Sequence, residues 1–224
     1  MKEIASKAYN EKNYKEAIKW FQKAAELGDS EAQYQLGRCY YYGEGIIKNL
    51  EETVKWLQNA AEQGNTKAQN HLGYLYENGE GVTKNPEEAV KWYRKAAEQG
   101  DADAQFNLAI CYFNGEGVTK NLEEAVKWYR KAAEQGDVYA QFNLAICYLN
   151  GRGITANPEE AVKWFRKAAE KGDADAQFYL GKCYEYGIGI TKNPEEAIKW
   201  FRKAAEQGDE DAKRELRTLG EKTD

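Results

Sequence analysis

The chain has 224 residues, 42% of them hydrophobic and 31% charged, with a net charge of −5; it is composed like neither a membrane-embedded nor a disordered protein. The acidic balance lacks the basic footprint that non-specific nucleic-acid binding needs, and no apolar run approaches the roughly 20 residues that cross a bilayer. A single His excludes a multi-histidine metal site and a histidine relay.

The opening MKEIASKAYN has no apolar core of the kind a signal peptide needs. Residues 1–28 predict a short helix pair. Ala5 and Ala17 lie 12 residues apart, whereas the matching steps further on, Gly73 to Ala89 and Ala109 to Ala125, are 16. The first pair thus lacks a four-residue loop and reads as a short N-terminal cap. A strict period governs the chain. Trp20, Trp56, Trp92, Trp128, Trp164 and Trp200 are spaced by 36 residues, as are Leu36, Leu72, Leu108, Leu144, Leu180 and Leu216. Residues 85–120 and 121–156 differ at only seven of 36 places. Such self-similarity is the mark of a repeat array, here with units 29–64, 65–100, 101–136, 137–172 and 173–208.

Each unit reads as two helices. In the unit beginning at 101, Ala104, Leu108, Cys111 and Tyr112 form the inner stripe of a first helix running from about Asp101 to Asn114, and Gly115 stops it. A GxG loop follows, with one apolar residue (Ile46, Val82, Val118, Ile154 or Ile190) expected to tuck back onto the pair. The second helix starts at Asn-Pro-Glu-Glu or Asn-Leu-Glu-Glu. Asn85 is the expected N-cap, Pro86 the first helical residue, and Glu88 the acid that reaches back in a capping box. Ala89, Trp92, Tyr93, Ala96 and Ala97 form its apolar stripe, and Gly100 ends it in the left-handed conformation. Residues 209–224 hold a first-type helix alone, rich in charge (Lys213, Arg214, Glu215, Arg217), and read as a C-terminal capping helix. A lone pair cannot cover its apolar faces but stacked pairs can. The expected fold is therefore all-α, a single right-handed αα-solenoid of six stacked pairs plus one helix.

The string AQFNLAICYFNGEGVTKN followed by LEEAVKWYRKAAEQG resembles the SLR (Sel-one-like repeat) family, relatives of the tetratricopeptide repeat, over nearly the whole chain. The resemblance implies a helical solenoid and, for function, adaptors and scaffolds with diverse partners. Some secreted relatives carry two Cys per unit. Here Cys39, Cys111, Cys147 and Cys183 stand one per unit, at a position where Leu75 replaces Cys once. Equivalent positions in stacked pairs lie about a helix diameter apart, ~10 Å, beyond bridging reach. Free buried thiols and a cytoplasmic setting are expected. That spacing and the lack of a CxxC pair argue against zinc.

No enzyme is expected. His71 stands where other units have Gln35, Asn107, Asn143 and Tyr179, and reads as a solvent-facing polar position. The Glu pairs at 51/52 and 87/88 recur at helix starts, where capping explains them. The GxG loops follow helices and lack a GK[ST] or GxGxxG pattern, so turn geometry explains them without a phosphate or other cofactor.

Positions that vary between units are where a particular function can reside. At 100° per residue from Ala104, Phe106, Ile110 and Phe113 point opposite the core stripe. The resemblance implies that this row lines a concave groove. Along the chain the varying positions read Arg38/Tyr41, Tyr74/Glu77, Ile110/Phe113, Ile146/Leu149 and Lys182/Glu185, beside the recurrent aromatics Phe106 and Phe142. The apolar members fall in adjacent units, and contiguous apolar surface rimmed by polar groups marks binding sites, unless array curvature buries it. Asn78, Asn114 and Asn150 beside the row are candidates to hydrogen-bond a peptide backbone. The leading expectation is a scaffold holding a peptide or helix of a partner protein. A monomer is expected over a homodimer, with neither nucleic acid nor membrane insertion. A self-associating array and a designed consensus-like scaffold are the alternatives, and a hydrolase is disfavoured.

Overall fold

A computed structural model describes residues 1–220; residues 221–224, the end of the expected last helix, lie outside the described residues. Thirteen helices follow one another among them, with no strand. They are α1 (Lys2–Asn10), α2 (Tyr14–Glu26), α3 (Ser30–Tyr42), α4 (Leu50–Glu62), α5 (Thr66–Asn78), α6 (Pro86–Glu98), α7 (Ala102–Asn114), α8 (Leu122–Glu134), α9 (Val138–Asn150), α10 (Pro158–Glu170), α11 (Ala174–Tyr186), α12 (Pro194–Glu206) and α13 (Glu210–Thr218). The chain forms two compact units, residues 1–120 with α1–α7 and residues 121–224 with α8–α13. Within each, every helix packs on its neighbour in sequence. Paired helices stack on paired helices, as an α-solenoid requires, and α13 lies on α12.

Local chemistry sets the boundaries. Every helix from α2 to α13 begins at an Asn or Asp whose side chain accepts the backbone N–H three residues on; Asn85 takes Glu88 N at 3.1 Å and Asp101 takes Ala104 N at 2.9 Å. The expected capping box is not completed. The Asn85 N–H is already donated to the Tyr76 carbonyl at 2.8 Å, so Glu88 has no donor to reach back to and instead accepts from Lys91 Nζ. At Glu16 and Glu52 the same carboxylate accepts from Trp20 and Trp56 Nε1. At the other end of α6, Gly100 (φ +98°) lets its own N–H reach Ala97 O and the Asp101 N–H reach Ala96 O, a Schellman stop.

The core stripes are those expected except at Tyr112, which is half-buried at the edge of its stripe with its hydroxyl accepting from Arg94. Ala104, Leu108, Cys111, Ala89, Trp92, Tyr93, Ala96 and Ala97 are buried, and so is Leu75 at the cysteine position. Ile46 and Val82 pack on the core from their loops. The second loop glycine has a steric role. At Gly117 (φ +66°) a Cβ would lie 2.1 Å from the Pro86 carbonyl oxygen, so the loop of one pair rests against the first turn of the second helix of the pair before it.

A buried glutamine ladder joins consecutive pairs. Gln33, Gln69, Gln105, Gln141 and Gln177 each donate Nε2 to the carbonyl of Ala25, Ala61, Ala97, Ala133 or Ala169, near the C-terminus of the preceding helix. Each of these carbonyls also accepts the N–H of the stop glycine, as Ala97 O does from Gly100, so the Gln amide supplies it with a second donor. The Oε1 atoms of Gln33, Gln69 and Gln177 accept from Gln63, Gln99 and Gln207 at 2.7–2.8 Å. Lys171 occupies that donor position for Gln141, but its Nζ goes to the Gly136 carbonyl, leaving Gln141 Oε1 buried without a partner.

Candidate functional site

The first helices of the pairs carry the variable row, and in the unit of residues 1–120 three of them form a groove. A cavity of about 570 Å³ opens between α3, α5 and the start of α7. Tyr34, Arg38, Tyr41 and Tyr42 come from α3, Lys67, Asn70, His71 and Tyr74 from α5, and Asp101, Asp103 and Asn107 from the α7 end. Their i, i+3, i+4 spacing on each helix aligns them on one face.

Arg38 and Tyr41 are half-buried walls of this groove. The Arg38 guanidinium lies about 6 Å from the ring centres of Tyr9, Tyr34 and Tyr42, and Nη1 donates to Gln35 Oε1 at 3.2 Å. Tyr41 donates its hydroxyl to Glu80 Oε2 at 2.9 Å, and Tyr74 donates to Oε1 of the same carboxylate at 3.2 Å. Burial and the bond to Glu80 hold the Tyr41 hydroxyl well above the usual phenol range. Tyr74 is 41% exposed and Tyr42 59%, so aromatic surface faces solvent at both sides of the groove.

His71 corrects the sequence reading. It is half-buried, not solvent-facing, with its ring edge-on to Tyr41 at 5.0 Å and tilted against Tyr74 at 6.4 Å. Position 71 directly precedes the core residue Leu72, on the flank covered by the neighbouring pair. Burial first, then the Arg38 charge, lowers its pKa to about 4, so it is neutral near pH 7. The same burial pushes the four free thiols up, to about 12 for Cys111 and about 11 for Cys39, Cys147 and Cys183. Neither group is set up as a nucleophile or base. Among the described residues no cluster of His, Cys, Asp and Glu is placed to hold a metal ion.

The other expected site residues are placed differently. Glu77 accepts the buried Tyr93 hydroxyl at 2.7 Å and lines a separate cleft of about 330 Å³ with Cys111 and Glu116. Phe106, Ile110 and Phe113 lie half-buried on α7, with Asn114 exposed at its end. In the second unit Phe142, Ile146 and Leu149 are half-buried on α9, where Phe142 contacts Phe165 and Tyr179. Asn78 and Asn150 spend Nδ2 on carbonyls one turn back, Tyr74 O and Ile146 O. Lys182 ion-pairs with Glu185 at 3.1 Å and with Glu215 of α13 at 2.8 Å. Burial alone would lower the Lys182 pKa, but these bonds outweigh it and raise it. The pair therefore fastens α13 to α11. Sequence reasoning missed the Gln ladder, whose signal was five Gln at the repeat period, and the enclosure of His71.

This is a helical-repeat array whose variable face carries polar and aromatic side chains. The Sel1 repeat model matches residues 11–29, 30–65, 66–101, 102–137, 138–173 and 174–209, and the chain belongs to that family. Members of the family generally serve as protein-interaction scaffolds, and no catalytic family is indicated. Among solved structures, a Sel1 repeat protein from Oxalobacter formigenes is 39% identical, over 93% of this chain and 86% of its own, with a TM-score of 0.88. A protective antigen of uropathogenic Escherichia coli strains with an SLR fold is 37% identical over 94% of this chain, with a TM-score of 0.89. The chain spans only 46% of that antigen. No curated protein matches the chain. No helix among the described residues is long and apolar enough to cross a membrane.

Proposed function

We propose that the chain is a non-enzymatic scaffold that seats a peptide or helix of a partner protein against its first-helix face, with the groove of α3, α5 and α7 as the principal seat. The observation that carries this is the cavity itself. It is large enough for several side chains, and it is lined by residues that the repeat does not require: Arg38, Lys67, His71 and Tyr74 have no counterpart of the same type in most units. A scaffold needs only the repeated positions, so unrepeated groups gathered at one opening support a selected surface. Phe106, Ile110 and Phe113 of α7 extend the face with apolar area, and Phe142, Ile146 and Leu149 of α9 offer a similar row in the second unit. The four unpaired thiols suit a reducing compartment, which supports a cytoplasmic setting.

The test is a double variant, Tyr42→Ala with Tyr74→Ala, compared with Lys91→Ala on the exposed side of α6. Each aromatic buried against a partner is worth roughly 1.5–3 kcal/mol, so the double variant should lose natural partners that the wild type captures, while Lys91→Ala keeps them. Helical circular dichroism should be unchanged in both. Equal capture by the double variant would move the binding surface elsewhere.

A further inference from the structure

Arg38 carries a charge that the fold does not neutralise. Its side chain is half-buried, its guanidinium sits among three tyrosine rings, and its hydrogen bond goes to the neutral Gln35 amide. Among the described residues no carboxylate comes within ion-pair distance of it. The nearby acids are committed otherwise. Glu44 accepts the Tyr9 hydroxyl at 2.5 Å, and Glu80 accepts both Tyr41 and Tyr74. Glu31 accepts Gln35 Nε2 and Asn65 Nδ2, and Asp101 caps α7. A guanidinium presents five N–H donors in a planar fork suited to a carboxylate, and among the described residues Arg38 makes one hydrogen bond.

We propose that this groove takes an acidic peptide segment, with a side-chain carboxylate of the partner on the Arg38 fork and its neighbouring apolar side chains on Tyr42 and Tyr74. The inference rests on the reading of the groove as a peptide seat. Lys67 lines the same cavity, with its charge offset by Asp101 beside it. His71, neutral near pH 7, adds a single-proton donor and no charge of its own. Asp101 and Asp103 line the same cavity from the start of α7, where Asp101 feels the Lys67 charge, so the positive charge left over is that of Arg38 on α3. They disfavour a polyanion that would run the length of the groove, such as a nucleic-acid strand. A single carboxylate, or two a few residues apart, fits this charge distribution, and the tyrosine faces suit aliphatic or aromatic neighbours.

The test selects displayed random dodecapeptides on the whole chain and then measures the winners by fluorescence anisotropy. Enrichment of Asp and Glu is expected. On the wild-type protein, replacing the selected peptide's carboxylates by amides should weaken binding about ten- to hundredfold, the range of a charge-assisted hydrogen-bonded pair. Arg38→Gln should remove the same factor, and the amide peptide should then bind both proteins alike. Because the amide peptide is tested on the unaltered chain, the outcome does not depend on how Arg38→Gln folds. Amidating the peptide's C-terminus should have little effect; a loss there comparable to the side-chain change would make the terminal carboxylate the ligand and overturn the side-chain assignment. Selection of neutral or basic peptides, or acidic ones that bind Arg38→Gln equally, overturns the inference while leaving the groove as a peptide seat. Peptides whose binding ignores the Tyr42 and Tyr74 substitutions, no enrichment at all, or tighter binding of a single-stranded oligonucleotide overturn both.

Discussion

At the scale of single residues, the same position means different things in different pairs, and two substitutions expose this. Lys171 stands where Gln63, Gln99 and Gln207 complete the ladder, and it leaves Gln141 Oε1 buried and unpaired. Lys171→Gln should restore the bond and raise stability by about 0.5–1.5 kcal/mol, seen as a higher urea midpoint at unchanged slope. No gain would mean that the Gly136 carbonyl contact of Lys171 is worth as much as the ladder bond. His71 gives the pH prediction. Its folded pKa of about 4 lies below the ordinary 6.5. The unfolded chain therefore binds the proton first as pH falls. The contribution is complete above pH 6.5 and is lost as pH falls from 6.5 towards 4, by on the order of 3 kcal/mol in full. Arg38 opposes the proton and Glu80 favours it, with Tyr41 and Tyr74 packed on the ring. The difference between wild type and His71→Gln in denaturant titrations at pH 7 and pH 5 isolates this effect, and a pH-independent difference would contradict the burial.

At the scale of elements, helix starts and stops were legible because their chemistry is local. Asn85, Asp101 and Gly100 act through backbone groups within a few residues, and the structure places α6 and α7 where those residues put them. The capping box failed for a reason no local pattern contains: the Tyr76 carbonyl of the preceding helix takes the Asn85 N–H. The two kinds of glycine separate in the same way. A Cβ at Gly100 meets nothing within 4 Å, so Gly100→Ala should cost only the left-handed backbone, about 1–2 kcal/mol. At Gly117 the same methyl would press on the Pro86 carbonyl, and Gly117→Ala should cost at least about 3 kcal/mol. Thermal melts of the two variants decide it; equal losses would show that the loop can move away from α6. Lys182 and Glu185 illustrate the converse. They vary between units, as binding residues do, and in this unit Lys182 is paired with Glu185 and with Glu215 of α13.

For the whole molecule, periodicity made the stacked architecture readable, since Trp, Leu and Gly recur every 36 residues and each unit therefore presents the same apolar stripes to its neighbours. The variable face was readable as a row, but the groove of α3, α5 and α7 was not. Angles measured along one helix identify which residues point away from the core. They do not say which of those residues a neighbouring pair covers, as Tyr41 of the preceding pair covers His71, or whether a charge such as Arg38 finds a counter-ion. The central claim is that partners bind the first-helix groove and not the second-helix side. The most direct measurement places a photo-crosslinking amino acid at position 74, and separately at position 91 on α6, in the full chain exposed to its natural partners. Crosslinked partner should form from position 74, with its attachment mapping by mass spectrometry to one short segment, and not from position 91. Crosslinking from position 91 with none from position 74 would contradict the account.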